Sequence, residues 1–218
     1  MKQLFFLSAI VFGTSMVVTS FKTISNSSKQ SGDIQSTSVA DQNASVWKLD
    51  KTHSNVKFTV THMVVSEVDG SFKTFDGTIE SAKDDFSDAK VNFTVDVATI
   101  NTDNENRDKH LRSDDFFNAE SFPQMKFVGT SMKSLGNNKY QLNGNLTIRD
   151  ITKPVTFDVS YLGVTTDRGK TKAGFKAKTT INRFDYNLKW DRATEAGSLV
   201  VAKEVDININ AAFAKAQP

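Results

Sequence analysis

The sequence predicts an all-β, antiparallel domain of about eight strands, arranged as a closed barrel or a sandwich. Three observations predict it. Runs with apolar residues at every second position recur through the chain; the residues between them are mostly Lys, Thr, Asn and Asp; and a single short segment carries a helix signal. Strands that are apolar on one side and wet on the other belong to an antiparallel sheet with one covered face.

The chain opens with Lys2 and the apolar run LFFLSAIVFGTSMVV, followed by the small residues Thr19 and Ser20. This reads as an export signal over 1–20, because the run is shorter than the roughly 20 residues of a spanning helix. The expected location of the mature protein is therefore the periplasm or the cell exterior. With no cysteine in the chain, disulfides and a lipid-modified cysteine are both excluded. Stability in an oxidising compartment must then come from the hydrophobic core. From Phe21 to Ala44 the chain is dominated by Ser, Thr, Asn and Gln, and 21–45 reads as a flexible polar linker. The remainder, 46–218, is of single-domain size. Of 27 basic residues Lys2 lies in the signal, leaving 26 against 25 acidic ones, a net of +1. The charges are interspersed, so nucleic acid is not an expected partner.

Within the domain the first run places Val56, Phe58 and Val60 on one face. A weaker strand follows over Ser71 to Glu80, where Phe72 and Phe75 stand three apart and predict a bulge near Lys73 and Thr74. Val91, Phe93, Val95 and Val97 form the next run, and a second weaker strand covers Gln124 to Met132 with Phe127. The later runs are Tyr140, Leu142, Leu146 and Ile148, then Val155, Phe157, Val159 and Tyr161. Phe175, Ala177, Thr179 and Ile181, then Val205, Ile207, Ile209 and Ala211, complete the set. The helix signal lies in TDNENRDKHLRSDDFFNAESFP: Thr102 is the expected cap, Asp103 and Glu105 suit the first turn, and Lys109 and Arg112 suit the last. A short helix over one end of the sheet, polar side outward with Phe116 and Phe117 turned in, accounts for a charged segment that ends in two rings.

Thirteen of the 17 phenylalanines fall in the domain, against three tyrosines and two tryptophans. Rings without a polar tip suit a wall that offers no hydrogen bonds. Composition alone favours an ordinary filled core, the alternative being an apolar lumen that holds a ligand. The three histidines, His53, His62 and His110, lack the short spacing of a metal site. His53 and His62, nine apart, fall on opposite faces of an uninterrupted strand. No metal or cofactor is expected. There is no cysteine nucleophile and no GxSxG context around a serine, and no catalytic residue is assigned. Arg107 and His110 share a helix face while Asp108 points elsewhere. They either form a solvated surface or close a barrel mouth, bonding the polar end of a ligand or locking the helix to His53 or His62.

Five blocks, WKLDKTHSNVKFTVTHM, VDGSFKTFDGTIE, INTDNENRDKHLRSDDFFNAESFPQMKFVG, LNGNLTIRDITKPVTFDV and INRFDYNL, together resemble the YceI-like, polyisoprenoid-binding family from Trp47 to about Phe213. The resemblance implies an antiparallel eight-stranded lipocalin-like barrel, with a short helix covering one end and a long apolar lumen for an isoprenoid or other acyl chain. It carries over His53, Ser54, His62, Arg107, Asp108, His110, Phe116, Phe117 and Arg183. Tyr186 departs from it, standing where a small residue, often glycine, is expected.

The resulting expectation is non-catalytic binding, sequestration or transport of a long-chain isoprenoid, quinone or fatty acyl lipid. The expected wall comprises Phe58, Val60, Phe72, Phe75, Phe93, Val95, Phe127, Leu142, Leu146, Phe157 and Phe175. The expected mouth comprises His62, Arg107, Asp108, His110, Phe116 and Phe117. Transient membrane contact and a homodimer are compatible with this. Two alternatives stand beside it: a quinone-holding partner of a membrane redox protein, and a lipid-modifying enzyme with His62 or His110 as base.

Overall fold

The computed structural model describes residues 44–193, 197 and 200–217. The expected signal at 1–20, and the expected linker up to residue 43, lie outside the described residues. Ser45, assigned to that linker, opens the first strand.

Eleven strands and one helix follow in chain order: β1 (Ser45–Leu49), β2 (Asn55–His62), β3 (Ser66–Phe72), β4 (Phe75–Ser81), β5 (Lys90–Asp96), β6 (Ile100–Asn101), α1 (Glu105–Arg112), β7 (Gln124–Gly136), β8 (Lys139–Ile148), β9 (Ile151–Asp167), β10 (Lys170–Asn182) and β11 (Val201–Lys215). Every pairing is antiparallel, and β1 pairs with both β4 and β11, which closes the sheet on itself. The closed barrel has eight staves. β1 and β2 are two halves of one stave, since both pair with β11, and β3 and β4 are halves of the next. β5 and β7 to β11 supply the other six in an up-and-down meander.

Alternation places the core. Val56, Phe72, Phe127, Leu142, Phe157 and Phe175 are all buried, and the lysines between them lie outside. The irregularity at Lys73 and Thr74 is a break in the stave rather than a bulge. Their amides donate to Thr99, to its carbonyl at 3.2 Å and its hydroxyl at 3.0 Å. A turn after β5 thus replaces the missing ladder bonds.

The opposite corner of the same wall is built by Asp50, between β1 and β2. Its carboxylate accepts from Lys172 Nζ at 2.6 Å, His53 Nδ1 at 2.9 Å and the Thr52 amide at 3.1 Å. Ser54 Oγ donates to the Asp50 carbonyl at 2.7 Å and accepts from the Ala212 amide at 3.0 Å. His53 and Ser54 are therefore parts of a corner that ties the broken stave to β10 and β11.

The helix begins later than the sequence predicts. Asn104 is the cap, accepting from the Arg107 amide at 3.0 Å. Thr102 is unavailable because its hydroxyl is committed to Asp108 at 2.5 Å. Glu105 in the first turn, and Lys109 and Arg112 in the last, lie as the dipole favours.

The corner sets an acid limit on stability. The hydrogen bond from Lys172, opposed by burial and helped by His53, pulls the Asp50 carboxyl from its ordinary 3.8 down to about 2. A folded value below the unfolded one gives stability that is complete above pH 4 and lost as pH falls toward 2. Asp50→Asn should cost about 1–2 kcal/mol at neutral pH, the partly exposed lysine having reduced the full linkage value, and should flatten the acid limb. Urea midpoints measured from pH 7 to pH 2 check this; an unchanged acid limb would refute it.

Candidate functional site

The inward face does not fill the barrel. A lower chamber of about 130 Å³ adjoins an upper chamber of about 100 Å³, and both are walled by Phe58, Phe72, Met125, Ile148 and Ile207. The lower wall adds Phe93, Val95, Phe127, Leu142, Leu146, Phe157 and Phe175, with Ile79, Val91, Met132, Val159, Ile209 and Phe213. Lys57 and Lys126 border it from positions on the outward face of their strands. Val60, Leu111, Phe116, Phe117, Ile181, Leu188, Val201 and Val205 wall the upper chamber, and Arg183 is its one charged neighbour.

Rings stopper the lower end. The segment 82–89 carries Phe86 inward, 2% exposed, with ring centroids 5.2 Å from Trp47, 5.5 Å from Tyr161 and 5.1 Å from Phe175. Asp88 pins this segment by accepting from Ser81 Oγ at 2.6 Å and the Ala82 amide at 3.0 Å. Tyr140 adds a bond from its hydroxyl to the Asp85 carbonyl at 2.7 Å.

Polar groups fix the upper end. Asp108, 5% exposed, accepts from the Thr102 amide at 2.9 Å and from its hydroxyl. Arg107 closes on the same residue, Nε to the Thr102 hydroxyl at 2.8 Å and Nη2 to its carbonyl at 2.7 Å. These two side chains bind α1 to the end of β6 and do not wall the lumen. His110 faces Asp115 at 2.8 Å and meets the rings of Phe116 and Trp190 edge-on. Beneath them Phe116 is buried, and Phe117 stands edge-on to Phe72 at 6.0 Å. The mouth residues thus divide: Phe116 and Phe117 plug apolar space, whereas Arg107, Asp108 and His110 hold the plug in place.

Two arginines finish this end: Arg183, which the family resemblance carries over, and Arg149, which no sequence expectation singles out. Arg183, 3% exposed, donates to the carbonyls of Leu188 at 2.6 Å, Trp190 at 2.8 Å, Ala202 at 2.9 Å and Val201 at 3.0 Å. Burial lowers its pKa, with Asp191 opposing. Arg149 donates to the Phe116 carbonyl at 3.0 Å and to Asp114 Oδ1 at 3.0 Å. Both satisfy backbone oxygens that a loop over an apolar chamber would otherwise bury unpaired. Tyr186, where a small residue was expected, is 2% exposed in the core, and burial pushes its hydroxyl up to about 12.

Of the residues assigned to the wall, only Phe75 stands outside it, stacked on Phe93 at 6.1 Å. His62 ends β2, beside a hairpin tip formed by Met63, Val64 and Val65. The histidines do not converge: among the described residues no three His, Cys, Asp or Glu side chains gather as a metal site would require.

A closed antiparallel barrel around an apolar, doubly stoppered interior defines a lipocalin-like cavity protein. The chain belongs to the YceI-like family, whose domain model matches residues 47–213. It is 36% identical over 169 residues to the UPF0312 protein SERP2314 of Staphylococcus epidermidis, covering 77% of this chain and 96% of that protein. With the UPF0312 protein SAS2572 of Staphylococcus aureus it shares 39% over 166 residues, or 75% and 94%. Among solved structures it is similar to the YCEI protein of Campylobacter jejuni, at 32% identity and a TM-score of 0.61 over 78% of this chain and 97% of that one. Burkholderia cenocepacia BcnA gives 25% and 0.63 over 75% and 98%. A polyisoprenoid-binding domain from Saccharophagus degradans shares the fold at 16% identity, with a TM-score of 0.60 over 78% and 98%.

The lock and the lumen should separate by mutation. Asp108→Ala strips charge-assisted bonds from a buried site and Arg107→Ala strips them from a part-buried one, for an expected loss of about 1–3 kcal/mol, the arginine variant toward the low end. Denaturant midpoints should fall in both variants while the affinity for an apolar fluorescent probe, measured below the transition, stays at the wild-type value. A probe affinity that fell without loss of stability would place these residues at the ligand instead.

Proposed function

We propose that the protein is a non-catalytic lipid carrier that holds the apolar chain of a long isoprenoid, or a lipid of similar shape, in the barrel lumen. The observation that carries this reading is the wall itself: two adjoining chambers whose inward side chains are apolar except for Arg183. Such a wall offers a polar solute no partner but Arg183, whose three nitrogens already donate to backbone carbonyls, whereas each CH₂ moved from water into it contributes about 0.8 kcal/mol. The polyisoprenoid-binding name of the Saccharophagus neighbour and the family membership support the same class of ligand. The apolar run after Lys2 supports a site of action outside the cytoplasm.

The geometry disfavours the enzyme alternative. His62 and His110 are not among the residues that wall either chamber, and His110 is occupied by Asp115. A general base must reach the proton it removes. An apolar tube reads length and bulk more than head-group chemistry, so a quinone is a competing occupant.

Organic extraction of natively purified protein followed by mass spectrometry should recover a prenyl or acyl lipid in near-stoichiometric amount. A recovered quinone would favour the redox-partner alternative. An empty extract, together with failure to take up a fluorescent prenyl alcohol, would sink the carrier reading.

The β2–β3 tip supports a route of loading. Val64 is 69% and Val65 86% exposed, and Met63 and Val64 hold φ of 51° and 66°, where a β-branched residue is strained. The tip adjoins the upper chamber, since Val201, which walls it, pairs with His62, and the Met63 amide donates to the Val200 carbonyl at 2.8 Å. Exposed apolar groups in this position suit insertion into a bilayer surface during lipid exchange. Replacing Val64 and Val65 together by Ser should slow transfer of a fluorescent prenyl alcohol from phosphatidylcholine vesicles while leaving its equilibrium affinity unchanged. Wild-type transfer rates in that variant would exclude the tip.

A further inference from the structure

Phe58 stands with Phe72 at the junction, since both rings wall both chambers. Phe58 lies opposite Gly70 in the β2–β3 register. Gly70 occupies an inward position of β3, two residues before Phe72, where alternation would place a side chain in the lumen. A Cβ at Gly70 would lie 2.2 Å from Cζ, 2.5 Å from Cε1 and 2.9 Å from Cε2 of Phe58. The ring therefore lies folded against the wall, over the bare backbone of its neighbour, in the space another residue's side chain would fill. Gly77 and Phe93 repeat the arrangement one stave further on, with a Cβ 2.7 Å from the ring. Gly144 beneath Phe127 differs, because a Cβ there would also meet the Val128 carbonyl oxygen at 2.6 Å, and its absence serves the backbone as well as the ring.

We propose that Gly70 determines the length of chain that the barrel accepts. The missing side chain lets Phe58 lie flat, which keeps the passage between the chambers open, so that one extended ligand can occupy both. Any larger residue must push the ring away from the wall. The three atoms nearest to a Cβ at Gly70 all belong to the far end of the Phe58 side chain, and that ring can move without moving its own backbone. Its new position narrows the junction, leaving two short chambers in place of one long one. Ligands short enough for a single chamber keep their contacts, and longer ones lose part of theirs. The inference rests on the lumen being the lipid site.

Displacement of a fluorescent prenyl probe by geraniol and by geranylgeraniol tests it. Wild-type protein should bind both, the longer alcohol more tightly. Gly70→Ala should bind geraniol as wild type does and geranylgeraniol at least about tenfold more weakly, a loss of the size that pocket shape commonly imposes on apolar ligands. The double variant Phe58→Leu/Gly70→Ala, which removes the ring that the new methyl displaces, should regain geranylgeraniol binding. Wild-type protein that takes both alcohols, with Gly70→Ala taking both unchanged, overturns the length role alone. Loss of both alcohols in Gly70→Ala, unrescued by Phe58→Leu, also overturns it and makes Gly70 a structural glycine. Wild-type protein that takes neither alcohol defeats the carrier reading, and this inference with it.

Discussion

Closure of the sheet is the constraint on which the rest depends. When β1 bonds to β4 on one side and β11 on the other, the barrel has no free edge there, and each inward side chain faces other inward side chains rather than a second layer. Eight staves enclose a space that side chains just fill or just fail to fill. Here they fail. The difference is made by how the aromatic side chains are disposed: Phe58 and Phe93 lie against glycines of adjacent staves, and Phe127 and Phe157 meet edge-on at 5.2 Å. Large rings therefore coat the wall, which raises apolar area while leaving the axis open.

An open apolar axis needs two ends, and the ends are built from different chemistry. The lower end uses rings, with Phe86 wedged among Trp47, Tyr161 and Phe175. The upper end is crossed by irregular backbone, whose carbonyls and amides lie in buried or part-buried positions. Arg183, Arg149 and the Thr102, Asp108 and Arg107 cluster consume those groups. The residues that look most like catalytic equipment in the sequence thus have a structural task. They are charged because only charged, multidentate side chains can satisfy so many buried backbone atoms in so little volume.

What was legible in the sequence follows from how local each signal is. Period-two alternation is written in consecutive residues, so six staves and most of the wall could be read directly. β1 escaped because SVWKL offers only Trp47 and Leu49 inward and abuts a polar tract. Phe86 escaped because SAKDDFSDAK looks like a solvated turn. Thr102 reads as a cap, a local role, but its partners are Asp108 and Arg107. Arg183 is reached through the family resemblance alone, and Arg149 acts on carbonyls up to 38 residues away, which no spacing rule reveals. The glycines were the least visible of all. An inward Gly reads as a gap in the alternation, and its meaning depends on which ring the neighbouring stave sets against it.

The same division would let the proposed site select a ligand without polar contacts in its wall. Among the described residues, the side-chain hydrogen bonds that pin the ends and corners of the barrel are those of Asp50, Asp88, Asp108, Arg107, Tyr140, Arg149 and Arg183. Between those ends the chain presents carbon. A ligand inside such a wall gains in proportion to the apolar surface it buries and loses where a ring obstructs its path, so discrimination must come from bore and length. On the proposed reading both are set by pairs of residues facing each other across one ladder step, and the register of the sheet, fixed by closure, would then also fix the dimensions of the site.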